Sequence, residues 1–279
     1  MMKTIQRLLL TVILLTTAHS LTAQETTYGL DTLISRKTVT STKLFGVGYT
    51  DMLDTYLSPG SYTGAELRFL SHIVRDYDDK PVSKLLLHQA FLTSVENKAR
   101  NASELGGIYS FSYGLLYNWN FLDGNFNVKA GATADADLGV LYNMRNSNNP
   151  VQVRAGVHLS PTVAVTYNAH MGNFPINLRY EVAAPLVGFM FSPNYGQSYY
   201  EIFSRHDYDH NLVFTHPFNT PSLRQMLTLD ITVMRQTFRM GYLNDVRQAK
   251  VNNLRQHQYT HALVVGWVKH FKLVKLTPH

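Results

Sequence analysis

The chain has no cysteine anywhere in its 279 residues. The chain therefore carries no disulfide, and a thiolate zinc site is excluded. Tryptophan is scarce, with two residues, and charged residues make up only 16% of the chain. There is no block of like charge. The net charge of +6 is dispersed rather than clustered, which argues against a nucleic-acid partner. Beyond the first residues, no apolar run approaches the roughly 20 residues that a membrane-spanning helix needs.

The N-terminus reads as a targeting signal. Lys3 and Arg7 form a basic start, Leu8–Thr16 is a short apolar run, and cleavage is expected after Ala23. Residues 24–40 then read as a polar periplasmic lead-in and 41–276 as one β-barrel domain.

What the remaining sequence does have is a rhythm of two. Phe126, Val128, Ala130, Ala132, Ala134, Ala136, Leu138, Val140 and Tyr142 alternate with a set that includes Asn127, Lys129, Thr133, Asp135 and Asp137. Successive side chains of a strand point to opposite faces, so one face is apolar and the other wet. Repeated around a closed sheet with the apolar face outward, this is the pattern of an antiparallel up-and-down transmembrane β-barrel. The 17 tyrosines and 14 phenylalanines suit its interfacial girdles. A soluble barrel or sandwich would alternate too, with its apolar face inward. The long strands and the charges on the opposite face favour the membrane form.

About ten strands are expected, with eight or twelve as alternatives. The first runs from Lys43 to Leu53 and the second over 61–74. A third, at 83–98, is read with Leu85, Leu87, Phe91 and Val95 outside and Lys84, His88, Ser94 and Glu96 inside. The fourth, 105–121, has an aromatic outer face, and Asp123-Gly124 signals a tight hairpin into the fifth. The sixth covers 151–168 and the seventh 174–190. Residues 191–221 read as the longest loop. The last three strands fall at 222–234, about 236–248 and about 257–271. The 75–81 connection looks long for a periplasmic turn, and the 234–236 turn is hard to place.

On this register the lumen holds a network of mixed sign: Glu66, Arg68, Lys129, Asp135, Asp137, Arg154, Arg179, Glu181, Arg224 and Asp230, joined by Lys84, Glu96, Arg239, Asp245 and Arg247. A paired polar core closing the lumen is the leading expectation, and a small passage or buried binding site the functional alternative. Balanced sign argues against a strongly ion-selective pore.

Catalytic signals are sparse. His158 and Ser160 sit two apart on one face of a strand, which serves a nucleophile and its base, yet such pairs occur in most β proteins. His206-Asp207-Tyr208-Asp209-His210 offers metal-ligand types whose histidines share a face only in a helix; an exposed polar loop is the expectation, with no metal site and no cofactor.

Two stretches resemble an uncharacterised family of exported Bacteroidetes proteins, catalogued as a domain of unknown function. They are Leu53–Pro59 with Tyr62, Gly64 and Arg68, and Tyr195–Phe203 with Ser222, Arg224 and Asp230. The resemblance runs over the whole mature chain and implies a Gram-negative envelope protein of the outer membrane; it implies no activity. Tyr56, Tyr62, Tyr195, Tyr199, Tyr200 and Glu201, carried by these stretches, are expected either to pack together across the barrel mouth or to bind a glycan or lipid headgroup. The resulting expectation is a non-enzymatic outer-membrane barrel with a narrow polar lumen, structural or concerned with small-molecule or lipid binding or passage. Its partners would be outer-membrane lipid, the barrel-assembly machinery and a small-molecule, glycan or lipid ligand. A membrane-embedded lipid hydrolase or acyltransferase, and an accessory barrel of a secretion or uptake complex, are the alternatives.

Overall fold

The computed structural model describes residues 33–277 except 148 and 173. The expected signal at 1–23 and the first part of the 24–40 lead-in lie outside the described residues. Ser35–Lys275 form one compact unit.

That unit is a closed antiparallel barrel of ten strand positions. In chain order the elements are β1 (Leu33–Asp54), β2 (Tyr62–Tyr77), β3 (Lys80–Asn97), β4 (Ser103–Phe121), β5 (Phe126–Asn143), β6 (Val151–Met171), β7 (Phe174–Ala183) and β8 (Val187–Phe191), then a short helix α1 (Tyr199–Ser204), then β9 (Leu212–Thr215), β10 (Leu223–Val233), β11 (Gln236–Val251) and β12 (Leu254–Thr277). Each strand from β1 to β7 pairs with the next; β7 then pairs with β10, followed by β11 and β12, and β12 returns to β1. The first strand begins at Leu33 rather than Lys43 and takes up the end of the stretch read as a lead-in.

β8 and β9 do not add positions to the ring. β8 continues the line of β7 along β6, and β9 pairs with β8. The pairing Thr162↔Ala183 becomes Leu159↔Val187 across Pro185, so one extra residue has entered. This is a β-bulge, placed where a proline cannot donate to the ladder. A matching break with Pro217 and Pro221 separates β9 from β10. The strand expected over 174–190 is thus two strands, and the expected loop at 191–221 gives up its last part to β9.

The two ends of the barrel differ. Where β1 begins (the near end), the connections are residues 78–79, 122–125, 172–173 and 234–235; at the far end they are 55–61, 98–102, 144–150, 192–211 and 252–253. The 75–81 connection is short after all, because β2 runs on to Tyr77. The 234–235 turn has positive φ at both Met234 and Arg235, 49° and 67°. That is the twist of a hairpin turn, made here without the Asn-Gly chemistry that advertises it.

The outer face is apolar. Val47, Leu67, Leu138, Val157 and Leu263 are each more than half exposed, within a belt of phenylalanine, tyrosine and tryptophan. Full burial of one such side chain is worth about 1.5–3 kcal/mol, so this belt calls for an apolar surround.

The interior corrects one expectation. At mid-height Leu44, Leu70, Leu85, Leu87, Leu116, Met226, Leu243 and Val264 pack together inside the ring, none more than 3% exposed. Thr133, Thr162, Ala164 and Glu181, also buried, complete the layer on β5–β7. The closure is therefore a septum that is apolar on β1–β4 and β10–β12 and polar on β5–β7, where Glu181 is ion-paired, rather than a polar core throughout. It also turns β3 round. Leu85, Leu87, Phe91 and Val95 face inward, while Lys84, His88, Ser94 and Glu96 lie on the outer face, so Lys84 and Glu96 leave the lumen set. Leu85-Leu86-Leu87 and Ala90-Phe91-Leu92 are apolar on both faces, and alternation cannot choose between them.

Candidate functional site

The far mouth is plugged by its own turns. After β1 the backbone N–H groups of Leu57 and Ser58 donate to the Asp54 carbonyl, and that of Tyr56 donates to the Asp54 carboxylate at 3.0 Å. This turn drives Leu57 inward, where it packs with Met52, Tyr62, Val95, Ala102 and Leu141. The Tyr62 hydroxyl accepts from the Asn143 amide at 3.2 Å and donates to the Ser58 hydroxyl at 3.3 Å.

The helix α1 is set by a capping box: the Ser198 hydroxyl accepts from the Glu201 N–H, and the Glu201 carboxylate accepts from the Ser198 N–H at 2.7 Å. The Ser198 N–H and hydroxyl, both donating to the Glu201 carboxylate, hold that carboxyl below its usual range. The cap directs Tyr199 inward. Its ring meets Tyr56 edge-on at 5.7 Å, and its hydroxyl accepts from the Val153 N–H at 2.7 Å and donates to Gln152 at 2.8 Å.

The two aromatic stretches therefore do meet, through Tyr56 and Tyr199. Tyr62 is buried in the plug and Glu201 serves the cap; Tyr195 and Tyr200 are exposed. Burial pushes the Tyr56 hydroxyl up to about 12, helped by the Asp54 and Glu201 carboxylates, and burial likewise raises Tyr199. An unfolded tyrosine ionises near 10. The folded plug thus keeps protons that the open chain loses, and its stability falls as pH rises from about 10 to 12. Proteolysis of the 192–211 loop followed against pH should accelerate across that window, and a Tyr199→Phe variant, lacking both hydroxyl bonds, should already be cleaved faster at neutral pH.

Below the plug lies the far chamber, a cavity of about 150 Å³. Asp135 and Asp137 reach it from β5, Arg154, His158 and Ser160 from β6, Arg224 from β10, and Asp245 and Arg247 from β11. Arg68 donates to Glu66 at 2.7 Å, to Asp245 at 2.8 Å and to Gln89 at 3.2 Å. Arg247 joins Asp245 to Asp137, at 3.3 and 3.0 Å. Arg154 pairs with Asp54 at 2.9 Å.

On the near side of the septum, a second cavity of about 670 Å³ is lined by Asn118, Asn120, Asn127, Asn168 and Asn177 among others. Lys129 is paired with Asp76, Arg239 with Asp230, and Arg179 with Glu181, which also bonds His72 at 3.1 Å. The expected network thus forms two groups that meet at Glu181, which pairs with Arg179 and His72 on the near side and lies 3.7 Å from Arg224 of the far chamber. Asp54, Asp76 and Gln89 are partners that sequence reasoning missed. Asp76 shares the even parity of Glu66 and Arg68, and that signal was hidden by reading it as turn.

Ser160 and His158 share a face but not a hydrogen bond. The Ser160 hydroxyl donates to Asp135. His158 turns Nδ1 to Thr215 at 3.3 Å and Nε2 toward Asp137 at 3.9 Å. Both residues line the far chamber, but the Ser160–His158 contact of an activated nucleophile is not made. The 206–210 segment is not helical, with φ of 59° at His206 and 53° at His210, and among the described residues no group of three potential metal ligands occurs.

The model of a family described as a protein of unknown function, DUF3316, matches residues 7–278. The chain belongs to that family. No curated protein matches the DUF3316 barrel. Among solved structures it is similar to the outer membrane protease OmpT from Escherichia coli, at 7% identity over 88% of this chain and 99% of that one, with a TM-score of 0.38. The translocator domain of autotransporter NalP from Neisseria meningitidis is similar at 9% identity over 95% of each chain, TM-score 0.38. The transport unit of autotransporter AIDA-I from Escherichia coli is similar at 7% identity, covering 91% of this chain and 96% of that one, TM-score 0.39. Likenesses of this degree bear on no question of activity.

Proposed function

We propose that the DUF3316 barrel is a non-enzymatic protein of the outer membrane, closed at mid-height, whose far chamber faces the cell exterior and binds a small molecule. The apolar belt supports a lipid surround, since the outer face is largely oily, although β3 turns Lys84 and Glu96 outward, while most of the charges are enclosed. The short turns at the end where β1 begins suit the periplasmic side, and the long far connections suit the exterior. Outer-membrane lipid and the barrel-assembly machinery are the partners this placement requires.

The observation that carries the reading is the septum. Its side chains, apolar on seven strands and Thr133, Thr162, Ala164 and Glu181 on the other three, are sealed from solvent on every strand of the ring, and water-filled conduction needs an open hydrated path. Purified barrel in planar bilayers should therefore give no steady channel steps. The double variant Leu85→Ser with Leu243→Ser, which removes apolar bulk from two sides of the septum, should gain them. Large steady conductance from the unaltered protein would overturn the closed-lumen reading.

A further inference from the structure

The far chamber contains a pair of opposite charges that the protein leaves incompletely used. Most charged groups around it are matched: Asp245 takes both Arg68 and Arg247, and Asp137 takes Arg247. Asp135 is different. One carboxylate oxygen accepts from Ser160, while its other oxygen, Oδ1, is buried and makes no hydrogen bond, and no ion pair of Asp135 occurs among the described residues. His158 stands directly across the ladder from Asp135 yet has Asp137 as its nearest carboxylate.

Arg224 is the counterpart. Its buried Nη2 makes no hydrogen bond, and its nearest carboxylate oxygen, on Glu181, is 3.7 Å away. Arg154 also keeps a buried, unbonded Nε, although its other nitrogens reach Asp54 and Gln256. All three side chains line the same cavity. A buried polar group without a partner costs about 1–3 kcal/mol, and more when charged. Asp135 and Arg224 do not relieve one another. They project from β5 and β10, with β6 and β7 between them, about 14 Å of wall at the usual strand spacing.

From this the geometry points to a ligand carrying both charges: a small zwitterion, such as an α-amino acid with a small side chain, held in the far chamber. Its ammonium group donates to Asp135 Oδ1 and its carboxylate accepts from Arg224 Nη2. A cavity of about 150 Å³ is the size that admits benzene in a protein interior, which limits the ligand to about five to seven non-hydrogen atoms. Glycine, alanine and serine fall in that range. This inference rests on the reading of the chamber as an outward-facing binding site and names what it binds.

The test is calorimetric titration of the folded barrel in detergent micelles with glycine, L-alanine and L-serine, alongside acetate and methylammonium, which each carry only one of the two charges. The zwitterions should bind, and each single-charge ion at least about tenfold more weakly, as expected when one charged hydrogen bond is lost. Asp135→Asn, which preserves the acceptor for Ser160, and Arg224→Gln should each weaken binding by a similar factor. Should Arg224→Gln fail to fold, Arg224→Lys, which keeps the charge beside Glu181, serves in its place and should retain partial affinity. Silence from every zwitterion, equal binding of acetate or methylammonium, or indifference to both substitutions would overturn the proposal. A silent titration with a barrel that still does not conduct removes the ligand and leaves the closed lumen standing; conductance removes the latter.

Discussion

Gly266→Val will prevent the barrel from closing. Gly266 lies in β12 where that strand meets β1, the seam that turns the sheet into a ring. A Cβ there would collide with the backbone of Lys43 and Leu44, deep inside van der Waals contact. The same seam is thinned from the other side: a Cβ at Gly48 would lie 2.6 Å from the His261 carbonyl oxygen, and one at Gly46 would lie 3.0 Å from Val264. Backbone cannot swing away as a side chain can, so β1 would have to leave β12. The freed N–H and C=O groups would then sit in an apolar surround, each at a cost of several kcal/mol. Gel mobility with and without boiling reads this directly, because a closed barrel resists unfolding in detergent at room temperature. The variant should show only the unfolded band. Gly60→Ala, in an exposed far turn with open space around it, should fold like the parent. A normal folded band for Gly266→Val would mean that the seam is not packed as described.

The seam also shows where sequence reasoning reached its limit. Strands such as β4, β5 and β6 declared themselves because their two faces differ over most of their length: Tyr109, Tyr113 and Leu115 against Ser110, Ser112 and Gly114, for instance. β3 did not, since the interior at its level is as oily as the exterior, and the rule of charge inside and oil outside points the wrong way there. The bulge at Pro185 and the hairpin at Met234-Arg235 were hidden for a related reason. Each depends on backbone conformation fixed by neighbouring strands rather than on local turn chemistry. The Ser198–Glu201 cap was the opposite case, a readable spacing passed over inside what looked like loop.

For the site, parity alone assigned Glu66, Arg68, Asp135, Arg154, Arg224 and Asp230 to the lumen, and the structure turns their side chains to the interior. It could not say which charges meet, because that depends on the stagger accumulated around ten strands. Arg68 and Asp245 are 177 residues apart and 2.8 Å from each other.

That contact sets the second large effect. Arg68→Met should destabilise the barrel by about 3–5 kcal/mol, the usual consequence of removing one member of a buried ion pair. The size follows from what is left behind. Arg68 is 3% exposed, its guanidinium lies 4.3 Å from the Phe91 ring centre, and it bonds Glu66, Asp245 and Gln89 together. Without it Asp245 still has Arg247, but Glu66 keeps only the neutral donors Gln258 and Thr260, at 3.1 and 2.8 Å. Glu66 is thus the stranded charge, and a neutral isostere should repair most of the damage. Urea unfolding of Arg68→Met, Glu66→Gln and the double variant gives the coupling energy. The double variant should be more stable than Arg68→Met alone, although it carries one more substitution. If the two changes simply added, the cost of Arg68→Met would be lost packing against Phe91 and the septum, and the ion pairs would set strand register without contributing to stability.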